Sequence, residues 1–254
     1  MPKERILPNS PGEKKELSPQ EIKEGLKDPS FLPTHEDVDR VFKSKDFISR
    51  EWSDFCFDEQ NPVFEFLNEE FLNAFSDYLS QRAKELGASE EAPITVLEVG
   101  AGNGRLTYFL QKKLEERLPG QVKVVASDSG KWGIKTAFPV DMIEHKEALK
   151  KHKPKIVVFS WMPYGEDYTA DMRAETSVEE YVLIGEADGG CCGNEWETWG
   201  SSYGNDEKVP PYKADGFMRS DLEDVSSQQI CRADQPGQGY YHSSTVSFKR
   251  KVSK

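Results

Sequence analysis

The sequence predicts an α/β protein with a doubly wound, mostly parallel seven-stranded sheet, a C-terminal antiparallel hairpin and an N-terminal helical extension. From residue 93 onward, short apolar runs alternate with segments whose apolar residues recur every three or four positions. That alternation is typical of a parallel sheet covered by helices on both faces. The last two runs alternate apolar and polar residues on either side of a turn rich in Pro and Gly, which indicates an antiparallel pair at one edge. Before residue 90 the apolar residues follow helical spacing.

The composition and charge of the chain exclude several classes of protein. The 254 residues include 33 Lys and Arg against 45 Asp and Glu, a net charge of −12, which disfavours a broad nucleic-acid-binding surface. No apolar run reaches the roughly 18–20 residues of a membrane helix, and the N-terminus lacks the apolar region of a secretory signal. The four cysteines and four histidines show no metal-ligand spacing. The sequence therefore predicts a cytoplasmic protein that binds no nucleic acid, membrane or metal, with a nuclear location as the alternative.

Three regions are predicted along the chain. Residues 1–33 hold six of the fifteen prolines and are predicted to be a mostly disordered tail, with one short helix after a capping box at Ser18. Residues 34–90 are predicted to form a helical extension, or lid, over the third region, residues 91–254. The helices of the extension are predicted to begin after Thr34, to carry Ile48, Trp52 and Phe55 on one side, and to run from Asn61 to Leu86.

The third region contains the predicted sheet. Each predicted strand is a short, mainly apolar run bounded by Gly, Pro or polar residues, and each predicted helix has its apolar residues on one side. The predicted strands are Ile94–Val99, Val122–Ser127, Phe138–Ile143, Lys155–Phe159, Tyr181–Gly185, Ser227–Ala233 and Ser243–Arg250, and the predicted helices are Arg105–Leu118, Glu144–His152 and Tyr168–Ser177.

The first predicted strand runs into a glycine-rich turn with glycines at 100, 102 and 104, and then into a helix. This arrangement places a nucleotide-like ligand over the carboxyl end of the strand, because glycines leave room for the ligand and the helix N-terminus offers N–H donors. The spacing differs from the dinucleotide fingerprint, which would place a glycine at Arg105, so a nicotinamide oxidoreductase is disfavoured. Glu98, two residues before the first glycine, can meet a ligand ammonium group.

The segment from Glu98 to Gly104 resembles the first motif of the class I S-adenosylmethionine-dependent methyltransferases, which reads E/D-x-G-x-G-x-G. The resemblance implies a Rossmann-like fold, S-adenosylmethionine as the cofactor and methyl transfer as the activity. It implies that Gly100, Gly102 and Gly104 wrap the methionine part of the cofactor and that Glu98 helps to hold its amino group, directly or through water. It also implies an acidic residue at the end of the second strand that binds both ribose hydroxyls, a position that Asp128 fills.

The resemblance extends to the third predicted strand. The family places an Asp or Asn after that strand, where it contacts the adenine amino group beside an apolar neighbour, and Asp141 and Met142 match this element. Asp141 follows Asp128 so closely that the intervening helix is expected to be short or missing. Trp132 is expected either to stack on adenine or to belong to the core.

The end of the fourth predicted strand is where this family faces the transferred methyl group. Amine methyltransferases often carry there an Asp, Asn or Ser, two prolines and an aromatic residue. The segment from Ser160 to Tyr164 is loosely similar but one residue too long. Ser160, Trp161 and Tyr164 are therefore the candidate catalytic residues. The Gly-rich loop at 185–200 is expected to form either an aromatic, acidic pocket for a cationic group or an Ω-loop packed by its own tryptophans.

The function that the resemblance implies is methyl transfer from S-adenosylmethionine to a nucleophilic nitrogen or oxygen on a small molecule or an exposed protein group. Two alternatives stay open: a protein methyltransferase that recruits a basic polypeptide, and a cofactor-binding module without catalysis. The expected partner is accordingly a small-molecule or protein substrate, and the oligomeric state is open. The basic run at 249–254 is expected to be either a solvated end or a nuclear address.

Overall fold

The structure, a computed structural model, describes residues 16–43, 54–59, 61–201, 208–234 and 242–251. Its strands are β1 (Ile94–Val99), β2 (Val122–Asp128), β3 (Asp141–Met142), β4 (Ile156–Ser160), β5 (Glu180–Gly185), β6 (Phe217–Asp221) and β7 (Ser244–Arg250). They form one sheet in the order β3-β2-β1-β4-β5-β7-β6. The first five strands are parallel to one another, and β7 is antiparallel to both β5 and β6. The predicted fold class, a mostly parallel seven-stranded sheet that ends in an antiparallel pair, is confirmed.

The central strands form because they are apolar on both sides. Every residue of β5 is buried, and β1 and β4 each have a single partly exposed position, as expected where helices cover both faces of a parallel sheet. Val96 belongs to the apolar cluster on one face together with Phe75. Its neighbour Leu97 belongs to the cluster on the other face together with Phe248. Successive residues of β1 therefore supply two separate cores.

The first two helices begin where local capping signals predict them. The side chains of Ser18 and Glu21 form a reciprocal capping box, and Thr34 Oγ1 accepts a hydrogen bond from the Asp37 N–H at 3.1 Å. Within the described residues, no helix combines the length and the apolar character that crossing a membrane requires. The helices are α1 (Pro19–Gly25), α2 (His35–Lys43), α3 (Glu69–Glu85), α4 (Arg105–Arg117), α5 (His145–His152), α6 (Thr169–Ala174), α7 (Pro211–Ala214) and α8 (Glu223–Ser226).

The first two helices pack into a small apolar cluster of their own. Ile22 of α1 and Val38 of α2 are fully buried in it, together with Phe66 and Ile230 from distant parts of the chain. The packed part of the protein therefore reaches into residues 1–33, which the sequence predicts to be a mostly disordered tail. The predicted positions 1–15, Ile48, Trp52, 236–239 and 252–254 lie outside the described residues.

The helix α3 begins at Glu69, later than the predicted start at Asn61. Asn68 caps this helix, because its side-chain oxygen accepts a hydrogen bond from the Phe71 N–H at 2.8 Å. The residues before the cap are extended, and the Phe66 N–H donates to the Ile230 carbonyl at 2.8 Å. The predicted start is wrong because the aromatic spacing before Asn68 fits a helix as well as a strand, and pairing with a distant segment decides between them.

The antiparallel partner of β7 is β6, and not the predicted strand 227–233. β6 lies at the edge of the sheet, where Phe217 is its one buried residue, so its sequence lacks the pattern of a buried strand. Residues 227–233 instead follow α8 and pair with the segment before α3. The Arg232 N–H donates to the Phe64 carbonyl at 3.0 Å. Ile230 of this segment is therefore buried in the cluster of the N-terminal helices, and Cys231 packs against one face of the sheet without forming a strand of it.

The Asn68 side chain joins α3 to the C-terminal part of the chain, and its removal should destabilise the fold. Besides capping α3, its Nδ2 donates to the Gln228 carbonyl at 2.9 Å, and Asn68 is fully buried. Asn68→Ala should lower the free energy of unfolding by about 2–3 kcal/mol, because it removes a cap and leaves a buried carbonyl unpaired. Chemical denaturation measures this loss. Asn73→Ala is the control, because the hydrogen bond to its side-chain oxygen is long, at 3.4 Å from Arg117; an equal loss in both variants would contradict the assignment.

Candidate active site

A cavity of about 860 Å³ opens at the carboxyl ends of β1, β2 and β4. β1 has β2 on one side and β4 on the other, and a crevice forms at such a point because the connections leave the sheet in opposite directions. The cavity is lined by the glycine loop after β1, the end of β2, the exit from β4 and the segment before α3. It therefore combines the predicted cofactor motif with a part of the N-terminal region.

The glycine loop has a backbone that glycine adopts most readily. Gly100, Gly102 and Gly104 have φ angles of 66°, 54° and 79°, in the left-handed region. A Cβ on Gly100 would lie 2.6 Å from Cζ of Phe159, and one on Gly104 would lie 2.8 Å from Cγ2 of Val140. Gly100 and Gly102 line the cavity, whereas the space beside Gly104 is filled by Val140. The loop thus turns tightly from β1 into α4 and presents its backbone to the cavity.

Glu98 lies on the cavity wall just before the loop, as the sequence predicts. Its Oε2 accepts hydrogen bonds from the backbone N–H of Thr107 at 2.9 Å and from its hydroxyl at 2.6 Å. Burial raises the pKa of Glu98 to about 7, and the nearby Asp128 adds to this, against the lowering effect of Thr107. Among the described residues, the hydrogen bonds to the Glu98 carboxyl group all go to Oε2, so Oε1 can accept a hydrogen bond from a ligand cation.

Asp128 ends β2 at the wall of the same cavity. Its Oδ2 accepts a hydrogen bond from the Gly102 N–H at 2.9 Å, and its Oδ1 accepts one from the Gly130 N–H at 2.7 Å. A carboxylate offers about four lone-pair positions, so each oxygen can accept a further hydrogen bond from a ligand hydroxyl. The first of these bonds also fixes Asp128 to the glycine loop.

The structure does not bring Asp141 and Met142 to the cavity. Asp141 Oδ2 lies 2.8 Å from Lys151 Nζ and 2.8 Å from His152 Nε2, and the hydrogen bond from Lys151 is the main cause that lowers the pKa of Asp141. Met142 is 54% exposed. Asp141 and Met142 form the whole of β3, which is shorter than the predicted strand. The N–H groups of residues 137 and 138 donate to the Asn103 carbonyl and therefore do not extend the strand.

Other residues occupy the cavity wall near β3. Ile143 and Glu144, immediately after that strand, line the cavity. Trp132 also lines it and is 62% exposed, so the expectation that Trp132 belongs to the core is wrong. A side chain at the rim remains free to pack on a ligand ring.

The three candidate catalytic residues lie at the end of β4 and just after it, but they do not all line the main cavity. Ser160 and Trp161 line the cavity, together with Phe159. Tyr164 is 78% exposed and lines a neighbouring pocket of about 550 Å³. The structure therefore brings Ser160 and Trp161 to the site and leaves Tyr164 outside the main cavity.

Trp161 has an unusual backbone for its size. Its φ is 60°, a left-handed conformation that costs roughly 1–2 kcal/mol for a residue with a side chain. Its N–H donates to the Ile184 carbonyl at 2.7 Å, and its indole Nε1 donates to Glu65 Oε2 at 3.0 Å. The strained backbone thus turns the indole from β4 toward the segment before α3.

Glu65 lines the cavity, but the sequence analysis does not single it out. A Glu inside a predicted helix that starts at Asn61 needs no special explanation. The residue is buried and lines the cavity. Its Oε1 accepts a hydrogen bond from the Ser243 hydroxyl at 3.2 Å, and burial raises its pKa to about 8 against the lowering effect of these hydrogen bonds. The alternation of Phe64, Glu65 and Phe66 is the signal of an extended segment that could have revealed it.

The Gly-rich loop after β5 is packed by its own residues. Trp199 is almost fully buried, and its indole Nε1 donates to the Cys192 carbonyl at 2.7 Å. The Gly193 N–H donates to the Met162 carbonyl at 3.0 Å, which fixes the loop against the exit from β4. These contacts fit the prediction of an Ω-loop packed by its own tryptophans. Trp196 and Trp199 are absent from the described wall of the cavity, where an aromatic pocket for a cationic group would need them.

The two cavity glycines should respond differently to the addition of a methyl group. Alanine at either position takes a left-handed φ, at about 1–2 kcal/mol, but a Cβ on Gly102 would be 3.5 Å from its nearest neighbour, Ile134. Phe159 is buried and stacks on Tyr168, so Gly100→Ala should cost about 1–3 kcal/mol more than Gly102→Ala. Chemical denaturation compares the two variants, and similar losses would show that Phe159 yields.

Comparison with known proteins gives similarities of structure only. No protein-family model matches the sequence, and no curated protein matches it. Among solved structures, the chain is similar to the DszA carbon methyltransferase, with 14% identity and a TM-score of 0.41 over 71% of this chain and 55% of that one. It is similar to the citrinin polyketide synthase CMeT domain, with 14% identity and a TM-score of 0.42 over 71% and 52%.

A third similar structure is a SAM-dependent O-methyltransferase from Thermotoga maritima, with 9% identity and a TM-score of 0.37 over 71% of this chain and 66% of that one. The chain spans about half the length of the first two structures. The sheet order, the antiparallel last strand and the glycine loop between β1 and α4 agree with the Rossmann-like fold that the sequence predicts.

Proposed function

We propose that this protein binds S-adenosylmethionine in the cavity and transfers its methyl group to a nucleophilic nitrogen or oxygen on a small molecule or an exposed protein group. One observation carries the proposal. The buried Glu98, the glycine loop and Asp128 form one continuous wall of a cavity that also reaches Ser160 and Glu65. The residues for a cationic nucleoside ligand and those for a reaction partner therefore share a single space.

The donor set fits this cofactor. The Glu98 carboxyl suits an ammonium group, and the Asp128 carboxylate suits a pair of ribose hydroxyls. The backbone of Gly100 and Gly102 is open to the cavity because these residues have no side chains. The volume of about 860 Å³ lies within the range of ligand cavities that hold cofactor-sized molecules.

The protein would chiefly position the reactants. When bound, the cofactor supplies a methyl group that is already activated on a sulfonium. The chain has to orient the acceptor, exclude water and accept any proton that the acceptor loses. Phe159 and Trp161 are buried at the exit from β4 and would exclude water, while the neighbouring Ser160 can hydrogen-bond an acceptor.

The charge of the cavity rim bears on the kind of substrate. Asp54 and Asp58 line the cavity, but Lys27, Lys131 and Lys135 line it too. A basic polypeptide would meet both signs of charge at this entrance, and like charges oppose binding. The rim therefore favours a small molecule or an isolated protein group over the recruitment of a basic tail.

Cofactor binding can be tested with two aspartates. Asp128→Ala should weaken the binding of S-adenosylhomocysteine about 10- to 100-fold, because it removes hydrogen bonds to a charged acceptor. Asp141→Ala should change the affinity less than about twofold, because Asp141 pairs with Lys151 outside the cavity. Isothermal titration calorimetry measures both affinities. An absence of heat with S-adenosylhomocysteine and with S-adenosylmethionine would overturn the proposal, and a large loss in Asp141→Ala would restore that residue to the site.

Catalysis requires a separate measurement. The protein incubated with methyl-labelled S-adenosylmethionine and fractionated cell extract should transfer label to at least one fraction, and Asp128→Ala should transfer much less. The salt dependence of that transfer separates a small buried substrate from a recruited basic chain, since screening weakens only the second strongly. Cofactor binding without transfer to any fraction would instead favour a non-catalytic module.

A further inference from the structure

Glu65 lines the same cavity as the cofactor motif. It belongs to the extended segment before α3, where it forms an isolated antiparallel bridge with Cys231. Both of its carboxyl oxygens have donors, the Trp161 indole on Oε2 and the Ser243 hydroxyl on Oε1. Ser160 lines this cavity too. Elements from three distant parts of the chain therefore hold one carboxyl group at the exit from β4.

The contacts of Trp161 are arranged around this carboxyl. The left-handed φ of 60° at Trp161 is sparsely populated by large residues, and it places the indole Nε1 3.0 Å from Glu65. The ring also packs on Phe64, with centroids 5.6 Å apart. A strained residue that orients a buried carboxyl is a feature of functional sites more than of ordinary cores.

Among the described residues, the charged and titratable groups near Glu65 include Cys231, Arg232, Asp234 and His242. Asp234 raises the pKa of Glu65, and Cys231 is a neutral, buried thiol whose own pKa is raised by burial. His242 Nδ1 lies 2.8 Å from Asp234 Oδ1. The Arg232 guanidinium lies over the Phe64 ring, 4.1 Å from its centroid, and 5.7 Å from that of Trp161. A positive charge is thus already present behind the aromatic wall of this part of the cavity.

We propose that Glu65 is the base of the reaction and that the acceptor is a hydroxyl group, an alcohol or a phenol. This inference rests on the proposed function. A hydroxyl needs a base as its oxygen attacks, whereas a neutral amine does not. A protonated amine would add a second cation directly beside the sulfonium, and two like charges at close range repel each other, so the sulfonium favours a neutral acceptor.

The proton and the electrons balance in this step. The hydroxyl oxygen forms a bond to the methyl carbon while the carbon–sulfur bond breaks, and that electron pair remains on sulfur as a neutral thioether. The hydroxyl proton passes to the ionised Glu65 carboxylate. The positive charge of the sulfonium and the negative charge of Glu65 disappear together, and the products are a methyl ether and a neutral carboxylic acid.

Glu65 must be ionised before it can act, and this gives a test that needs no acceptor. At pH 6.5 a carboxyl with a pKa near 8 is almost fully protonated. A sulfonium placed beside it would lower its pKa, so binding of S-adenosylmethionine should release a proton from Glu65. S-adenosylhomocysteine has the same ammonium group near Glu98 but no sulfonium. Calorimetry in two buffers of different ionisation enthalpy should therefore count close to one more proton released by S-adenosylmethionine than by S-adenosylhomocysteine.

Two variants assign the proton. Glu65→Gln should bind S-adenosylhomocysteine but release the same number of protons with both ligands. The control is Glu59→Gln, which removes an exposed carboxyl from the neighbouring pocket. This control should keep the difference in proton release between the two ligands. No difference in the wild type, or a difference that persists in Glu65→Gln, would overturn the role of Glu65 while the cofactor site still binds. Absence of binding of either ligand to the wild type would overturn the proposed function itself.

A second measurement avoids dependence on the fold of the Glu65 variant. The Trp161 indole N–H donates to Glu65, so its nuclear magnetic resonance signal, identified by its loss in Trp161→Phe, should titrate in the wild type. The midpoint should lie near 8 without ligand and below 6.5 with S-adenosylmethionine bound. An indole signal that does not titrate between pH 6 and 9, or a labelled product methylated on nitrogen, would overturn the inference.

Discussion

The pairing of the extended segment 64–68 with residues 228–232 is the constraint on which the rest of the structure depends. Across this pairing, the Phe66 N–H donates to the Ile230 carbonyl at 2.8 Å and the Arg232 N–H donates to the Phe64 carbonyl at 3.0 Å. The Asn68 side chain adds a hydrogen bond to the Gln228 carbonyl at 2.9 Å. Because Asn68 also caps α3, the same residue fixes where that helix begins. The pairing closes the open side of the cavity over the strand ends. Phe64, Glu65 and Leu67 of the paired segment line the cavity, so the pairing supplies one wall of the site.

The cavity that this pairing closes is acidic, and its acidity has an energetic cost. Glu65, Glu98 and Asp128 all line it, and burial raises the pKa of the first two to about 8 and about 7. The charge of Asp128 adds to the raised pKa of Glu98, and the charge of Asp234 adds to the raised pKa of Glu65. The proposed ligand, S-adenosylmethionine, carries an ammonium group and a sulfonium that would favour the ionised forms of these carboxyls. Under the proposed function, ligand binding and ionisation of the two buried carboxyls are therefore coupled.

Local patterns predict the parts of this fold that depend on neighbours in the sequence. The central strands, the glycine loop and the positions of Glu98 and Asp128 follow from apolar runs and from one contiguous motif. The start of α3 and the partner of β7 depend on pairing between segments far apart in the chain, and spacing alone does not reveal which segments pair. Asp141 matches a motif in sequence, but its carboxylate pairs with Lys151 and His152 of α5 and leaves the cavity wall to other residues. Glu65 is missed for the same reason, since its role arises only where three segments meet.

The two parts of the cavity are therefore built in different ways. The part proposed to bind the cofactor is formed by β1, the glycine loop and the end of β2, which follow one another closely in the chain. The part proposed to bind the acceptor contains Glu65 of the segment before α3 and Trp161 at the exit from β4, and Ser243 supports it by a hydrogen bond to Glu65. Substitutions in the segments that carry these three residues are expected to change the acceptor part without changing the proposed cofactor wall. Trp161, with its left-handed backbone, belongs to this second part. The strained conformation costs stability, and it places the indole N–H within hydrogen-bond distance of the Glu65 carboxyl group.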